Sequence, residues 1–322
     1  MTNNLNETDG PTFVDAATVR RLTPMPELIA ALDEAFRSDI ALPPRQVYGL
    51  PGGNTLLVMP AWQIGRDTGV KVVTIHPSAR PAVKGTYLLI DGQNGGVRAI
   101  LDGTMLTLRR TGAVSALVSD KLARRDADTL LMIGTGALAP HLIEAHASVR
   151  PLKKVMIWGR DPAKAQLLAD GLRHSGLPVS AVSDLDQAVG CADIISAATL
   201  STSPLIKGML VKPGTHLDLV GAYRPDMAEA DAVSFRKAFV CVDSRGGALT
   251  EAGDIIQAID AGMITADDIA VDLNELCLAN DPLRTDEAMI TVFKSVGLSI
   301  EDLVAAQLVY AEHQRSTAGR HA

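Results

Sequence analysis

The sequence predicts an α/β protein in which a doubly wound parallel sheet is joined to a discontinuous α+β domain. Three observations carry that prediction. Short apolar runs between positions 47 and 101 follow one another with Pro and Gly between them and no helical stretch. From position 129 onward, apolar runs alternate with helical or mixed segments, the pattern of parallel strands joined by crossover helices. The first of these later runs leads into Gly134-Thr135-Gly136-Ala137-Leu138-Ala139.

Taken in order, Asp15 is placed to cap a helix, and Leu28, Ile29, Leu32, Ala35 and Phe36 recur at helical spacing. The break near Thr23 and Pro24 predicts two short helices up to Arg37. Runs at 47–50, 55–59, 69–75, 87–91 and 97–101 predict an antiparallel sheet. Met105, Leu108, Val114, Leu117, Val118 and Leu122 mark a long helix over 103–125 that leads into the next domain. Parallel strands are predicted at 129–133, 154–158, 193–197, 216–220, 239–242 and 289–293. A last helix, 299–313, comes after that sheet is complete and is free to return to the first domain. The predicted boundaries are 1–120 with 298–322 for one domain and 121–297 for the other.

With 322 residues, 47% of them hydrophobic, the chain can bury two cores of ordinary size. The 30 basic and 37 acidic side chains give a formal charge of -7 with no basic block, so nucleic acid is not an expected partner. Cys191, Cys241 and Cys277 lie far apart and match neither a disulfide framework nor a metal-ligand spacing. They read as small core residues in a reducing compartment, and no metal is expected. Residues 1–10 are polar and lack an apolar leader core, and no apolar stretch is long enough to cross a bilayer. The expectation is a cytoplasmic protein with no membrane partner.

The glycine-rich turn follows the strand Leu130-Leu131-Met132-Ile133 and opens a helix at His141, the context a dinucleotide fingerprint requires. Gly134 permits the tight turn, Gly136 lets the backbone approach a pyrophosphate, and the small Ala139 permits close helix-to-strand packing. Ala137 and Leu138 bring unpaired N–H groups to the helix start, where the dipole end is positive. The doubly wound domain is therefore read as Rossmann-type. An acid at the tip of the second strand would select NAD by accepting from the ribose 2′-OH; here Trp158-Gly159-Arg160 puts arginine there, with Lys164 a second cation one turn on. NADPH is the favoured cofactor. NADH is the alternative if Asp161 serves as a displaced acid, and a solvated Arg160 is the plain reading of that side chain. Thr199 and Lys294 stand at C-terminal strand ends, the edge where open parallel sheets bind ligands, although the Lys294 loop reads equally as a turn into a helix.

Three further cations stand out. Arg45 follows Pro43-Pro44, Lys71 interrupts the apolar run Gly69-Val70-Lys71-Val72-Val73, and Arg110 precedes Thr111-Gly112-Ala113. A lysine in such a strand lines a pocket or faces water, and water is the ordinary reading. Arg45 followed by Met59-Pro60, the run 70–77, the segment 106–116 and the Gly134 fingerprint together resemble the ornithine cyclodeaminase / mu-crystallin family. The likeness extends in order from about Arg45 to the last helix. The resemblance implies a homodimer, each subunit pairing a substrate-binding and dimerisation domain with the Rossmann domain, with substrate in the cleft between them. It places the substrate carboxylate on the residues matching Arg45, Lys71 and Arg110, and the cofactor phosphates at Thr111. Thr199 resembles a ribose or nicotinamide contact, and Gly221 falls among the cofactor contacts.

Within that family, the cyclodeaminases carry an aspartate in a Gly-Gly-Asp-x-Pro motif, and this chain has Tyr223 in Gly221-Ala222-Tyr223-Arg224-Pro225-Asp226. Where they place a glutamate before the Met-Pro pair, this chain has Leu57. Together with 242–254, the segment resembles the ketimine reductase branch, above all bacterial Δ1-pyrroline-2-carboxylate reductases. The implied substrate is a small cyclic imino acid. The proton source would be Lys71 or a bound water, with Tyr223 a lesser catalytic candidate. Asp102 and Asp226 read as caps or loop acids, and His76 as a strand-end histidine. Ornithine cyclodeaminase or alanine dehydrogenase activity is the enzymatic rival, and a non-catalytic NADPH-dependent binding protein the rival of another class.

Overall fold

Residues 10–38 and 43–318 are described by the computed structural model, and they fall into two units. Of the described residues, unit one comprises 10–31, 43–110 and 299–318, and unit two comprises Leu32–Ser38 and Thr111–Leu298.

Unit one opens with β1 (Thr12–Val14), α1 (Ala16–Arg21) and α2 (Met25–Phe36), the last of which runs on into unit two. Asp15 caps α1, its carboxylate accepting from Thr18 N at 2.8 Å. Then come β2 (Gln46–Leu50), β3 (Asn54–Trp62), β4 (Thr68–Ile75), β5 (Val83–Ile90) and β6 (Val97–Asp102), followed by α3 (Gly103–Leu122), which continues into unit two. The sheet order is β1-β6-β5-β4-β3-β2. It is antiparallel as expected except at β1, which pairs parallel to β6. Three residues are too few to display an alternation, so β1 is invisible to pattern. Asp102 does act as a cap, accepting from Met105 N at 2.7 Å.

Unit two contains β7 (Thr129–Ile133), α4 (Ala139–Val149), β8 (Lys154–Trp158), α5 (Pro162–Gly171), β9 (Val179–Ala181), α6 (Leu185–Cys191), β10 (Ile194–Ala197) and β11 (His216–Leu219). It continues through β12 (Phe239–Val242), α7 (Arg245–Thr250), α8 (Gly253–Asp260), β13 (Ile269–Asp272), α9 (Leu273–Leu278) and β14 (Thr291–Lys294). All eight strands are parallel, in the order β13-β12-β14-β11-β10-β7-β8-β9. Every residue of β10, β11 and β14 is buried, as expected of central parallel strands covered on both faces. The two strands the pattern missed, β9 and β13, are the sheet's edges, where burial is partial and the apolar signal short.

Inside this sheet lies a polar cluster. Asp218 Oδ2 accepts from Ser196 Oγ at 2.7 Å and stands 3.1 Å from His146 Nε2, while His216 Nδ1 meets Thr291 Oγ1 at 2.8 Å. The serine and histidine both address the same carboxylate oxygen, so the trio cannot work as a nucleophile-and-base relay.

After β14 the chain enters α10 (Ser299–Ala318), which packs across β3, β4 and β5 of unit one. Those strands present a row of directly paired residues, Met59–Lys71–Tyr87–Leu101. Paired residues share a face of the sheet. All four are buried. Among the described residues no helix is long and apolar enough to cross a membrane.

Candidate active site

The glycine-rich turn of unit two has the geometry its sequence predicts. Gly134 has φ 117°, and a Cβ there would lie 2.6 Å from Ala198 O, so glycine is required on both counts. Gly136 and Ala137 are exposed, and a Cβ on Gly136 would meet nothing within 4 Å. The turn before α4 thus remains open; Ala139 N and His141 N are already bonded to Gly136 O and Leu138 O, so the N–H groups that fit a dinucleotide pyrophosphate are those of Gly136, Ala137 and Leu138. Ala139 is buried, as close packing demands. On α3, Gly112 lies against the first turn of α4, where an added Cβ would be 2.9 Å from His141 O. This approach puts Thr111 beside the same helix start.

At the tip of β8, Arg160 and Lys164 are both exposed. Asp161 caps α5, accepting from Ala163 N at 3.0 Å. Its carboxylate is thereby engaged at the helix start, which weakens its claim as a ribose-binding acid.

At the carboxyl ends of the central strands, Thr199 follows β10 and Gly221 follows β11, both partly buried. The buried Glu229 carboxylate accepts from both backbones. Lys294, at the end of β14, is also buried and stands 2.9 Å from Asp254 Oδ2, an ion pair by distance turned away from hydrogen-bond alignment. Lys294 is therefore an internal residue of unit two. Tyr223 is exposed on the loop after β11, and Asp226 there is paired with Arg224 at 2.9 Å, a loop acid as expected. His76 is exposed just beyond β4.

In unit one, Lys71 is 2% exposed, against the ordinary expectation of a solvent-facing strand lysine. Its place in the row covered by α10 is the reason. Lys71 Nζ donates to Asp302 Oδ2 at 2.6 Å and to Thr107 Oγ1 at 3.3 Å. Arg110 donates through Nε to Asp302 Oδ1 at 3.1 Å and through Nη1 to Glu301. Burial pushes the Lys71 ammonium down to about 8, with the Asp302 carboxylate opposing the fall and the Arg110 charge adding to it. Burial also works against the Arg110 charge, but Asp302 and Glu301 outweigh it and its pKa is raised.

Arg45 is partly buried one step before Gln46, which pairs with Val58, so it extends the Met59–Lys71 row. Two of the three expected cations are thus joined through the Asp302 carboxylate, and the third is aligned with the row. Arg109, next to Arg110 in sequence, instead donates to Thr23 O at 2.6 Å and holds the start of α2. The buried Tyr87 hydroxyl, in the same row as Lys71, has no hydrogen-bond partner among the described residues. An ammonium has three N–H donors, and Asp302 and Thr107 take two from Lys71. One donor is left over among the described residues.

Reading by pattern missed Glu229, Glu301 and Asp302. The last two carried a signal: adjacent acids between Ile300 and Leu303 in a helix whose neighbours are apolar.

The model of the ornithine cyclodeaminase/mu-crystallin family matches residues 11–317. A Δ1-pyrroline-2-carboxylate reductase of Paracoccus denitrificans is 38% identical over 284 residues, covering 86% of this chain and 90% of its own. The structure of Thermococcus litoralis Δ1-pyrroline-2-carboxylate reductase, in complex with NADH and L-proline, superposes with a TM-score of 0.90 at 30% identity, covering 95% of this chain and 98% of that one. An archaeal alanine dehydrogenase dimer with bound NAD gives 0.88 at 27% identity, over 95% and 97%. The chain belongs to the ornithine cyclodeaminase/mu-crystallin family.

Proposed function

We propose that the chain is an NADPH-dependent reductase of small cyclic imino acids, converting Δ1-pyrroline-2-carboxylate to L-proline and the six-membered Δ1-piperideine-2-carboxylate to L-pipecolate. The observation that carries this reading is the buried pair Lys71 and Arg110, joined by one carboxylate. A carboxylate ligand losing its hydration needs charge-assisted donors. Arg110 and Arg45 supply them, with the positive charge of Lys71 beside them and its third N–H kept for the imine nitrogen.

When bound, reduced nicotinamide supplies a hydride to the imine carbon. Lys71 holds a proton at Nζ that passes to the imine nitrogen as the C=N bond becomes C–N, and water returns a proton to Lys71. Tyr223 is the lesser donor candidate, because it lies exposed on its loop. Free diamines find no distal acid here, since Leu57 and Tyr223 occupy the relevant positions.

Gly134, Gly136, Ala137, Leu138 and Thr111 would hold the pyrophosphate, and Thr199 and Gly221 the nicotinamide half. Exposed Arg160 and Lys164 favour a 2′-phosphate and hence NADPH, with NADH the second cofactor. Unit two is then the dinucleotide domain and unit one the substrate and dimerisation domain. A homodimer is supported by the edge strand β2, where Val47, Tyr48 and Leu50 are all exposed, an edge that another chain can cover.

The test is a panel with purified protein: NADPH and NADH oxidation with both cyclic imines, NAD(P)H formation from alanine, and proline formation from ornithine. Imine-dependent NADPH oxidation is expected. Turnover of alanine or ornithine alone would replace this reading with the corresponding rival, and nucleotide binding without turnover would favour a binding protein.

A further inference from the structure

The geometry points to Glu229 as a positioning residue that seats the nicotinamide end of the cofactor by tying the ends of β10 and β11 into one frame. Glu229 Oε1 accepts from Thr199 N at 2.6 Å and from Thr199 Oγ1 at 2.9 Å, and Oε2 accepts from Gly221 N at 2.7 Å. Thr199 and Gly221 each stand two residues beyond a strand, at the edge where open parallel sheets take their ligands. The two loops interlock. A Cβ on Gly221 would lie 2.1 Å from Thr199 O and 2.4 Å from Glu229 Oε1.

The frame has a second tier. Asp254 Oδ1 accepts from Glu229 N at 2.7 Å and Ala230 N at 3.0 Å, and Asp254 Oδ2 stands 2.9 Å from Lys294 at the end of β14. Three adjacent strand ends, β14, β11 and β10, are therefore pinned by two carboxylates and one ammonium. The charged groups facing Glu229 are Lys294 and Asp254; Thr199 and Gly221 present only N–H and O–H. Burial pushes the Glu229 carboxyl up to about 7, with Asp254 adding to the rise and Lys294 opposing it. An ionised Glu229 accepts from three donors. A protonated one gives up part of that set, so the seat loosens as pH falls through neutrality.

This assignment rests on the reading of unit two as a dinucleotide domain. Its test compares, on the full chain, the Kd of NADPH with that of 2′-phospho-ADP-ribose, which lacks the nicotinamide; NADH with ADP-ribose is the parallel pair. In Glu229→Gln, NADPH binding is expected to weaken about 10-fold or more while the fragment changes by less than about 2-fold, the cost of a charge-assisted hydrogen bond confined to one end of the ligand. In the wild type, the ratio of the two Kd values should shift against NADPH between pH 8 and pH 6, and Glu229→Gln should abolish that shift. The fragment carries the same 2′-phosphate, so phosphate titration cancels. Equal weakening of both ligands, or no weakening of either, overturns the assignment. Should the variant fail to fold, a pH-independent wild-type ratio overturns it alone. Failure of the wild type to bind either dinucleotide removes the dinucleotide reading and the seat with it.

Discussion

Lys71 Nζ and Asp302 Oδ2 meet at 2.6 Å with both side chains shielded from water, although 231 residues separate them in sequence. Burial alone would strip the ammonium of its proton; the carboxylate opposes that loss. Burial brings this lysine down to about 8, and the carboxylate keeps it from falling further.

Lys71 is charged below about 8 and neutral above it. The kcat/KM for imine reduction should therefore be level on the acid side of that value and fall about tenfold per pH unit above it. Asp302→Asn removes the group that retains the proton, so the alkaline limb should move down by about one pH unit or more. Parallel pH–rate profiles check this. An unmoved limb would separate Asp302 from the chemistry of Lys71.

Arg110→Ala would take the guanidinium away from two buried carboxylates, Glu301 and Asp302. Thermal or denaturant unfolding should record a loss of about 3–5 kcal/mol. The double variant Arg110→Gln with Glu301→Gln exchanges the ion pair for amides and should recover most of that loss. It should still reduce the imine about 100-fold less efficiently, with NADPH affinity within about 2-fold of wild type, because the lost interaction is a charge-assisted one to substrate. Full activity in the double variant would move the substrate grip elsewhere.

Arg160→Ala, alone and with Lys164→Ala, should raise the KM for NADPH about 10-fold to 100-fold and leave NADH nearly unchanged. Steady-state kinetics with both cofactors at saturating imine measure it. Equal effects on the two would show that neither cation reads the 2′-phosphate.

Burial holds His216 neutral, with its pKa pushed down to about 3 from an ordinary 6.5. The nearby Asp218 lies below the usual carboxylate range, because bonds from His146 and Ser196 outweigh its burial. Both shifts have the same sign: stability is complete above about 6.5 and is lost as pH falls, since the unfolded chain binds protons that the folded one refuses. His216 alone contributes about 1.4 kcal/mol per pH unit, or about 2 kcal/mol between pH 6.5 and 5. Urea unfolding at the two pH values, wild type against His216→Gln, should show a shallower acid loss in the variant.

The nucleotide half was legible in the sequence because its signals are local: a strand, a glycine turn and a helix within twenty residues, and Arg160 at a strand tip. The substrate half was legible only by resemblance. In Gly69-Val70-Lys71-Val72-Val73 both faces of the strand are apolar or small, so alternation does not reveal which way Lys71 points. The face is decided by α10, far along the chain. Glu301 and Asp302 look like ordinary acids in the first turn of a helix, where the dipole favours them. Glu229 lies in an irregular stretch after β11, where no period operates.

The two acids that neutralise Lys71 and Arg110 are carried by the last helix, 231 and about 190 residues downstream. On the ribosome the sheet and α3 emerge long before them, as a nascent hydrophobic assembly holding two cations that nothing yet cancels. Closing it at that stage would bury uncompensated charge at a cost of several kcal/mol. Docking of α10 therefore acts as a completion check, and a protein shortened before Glu301 should fail in folding before it fails in catalysis.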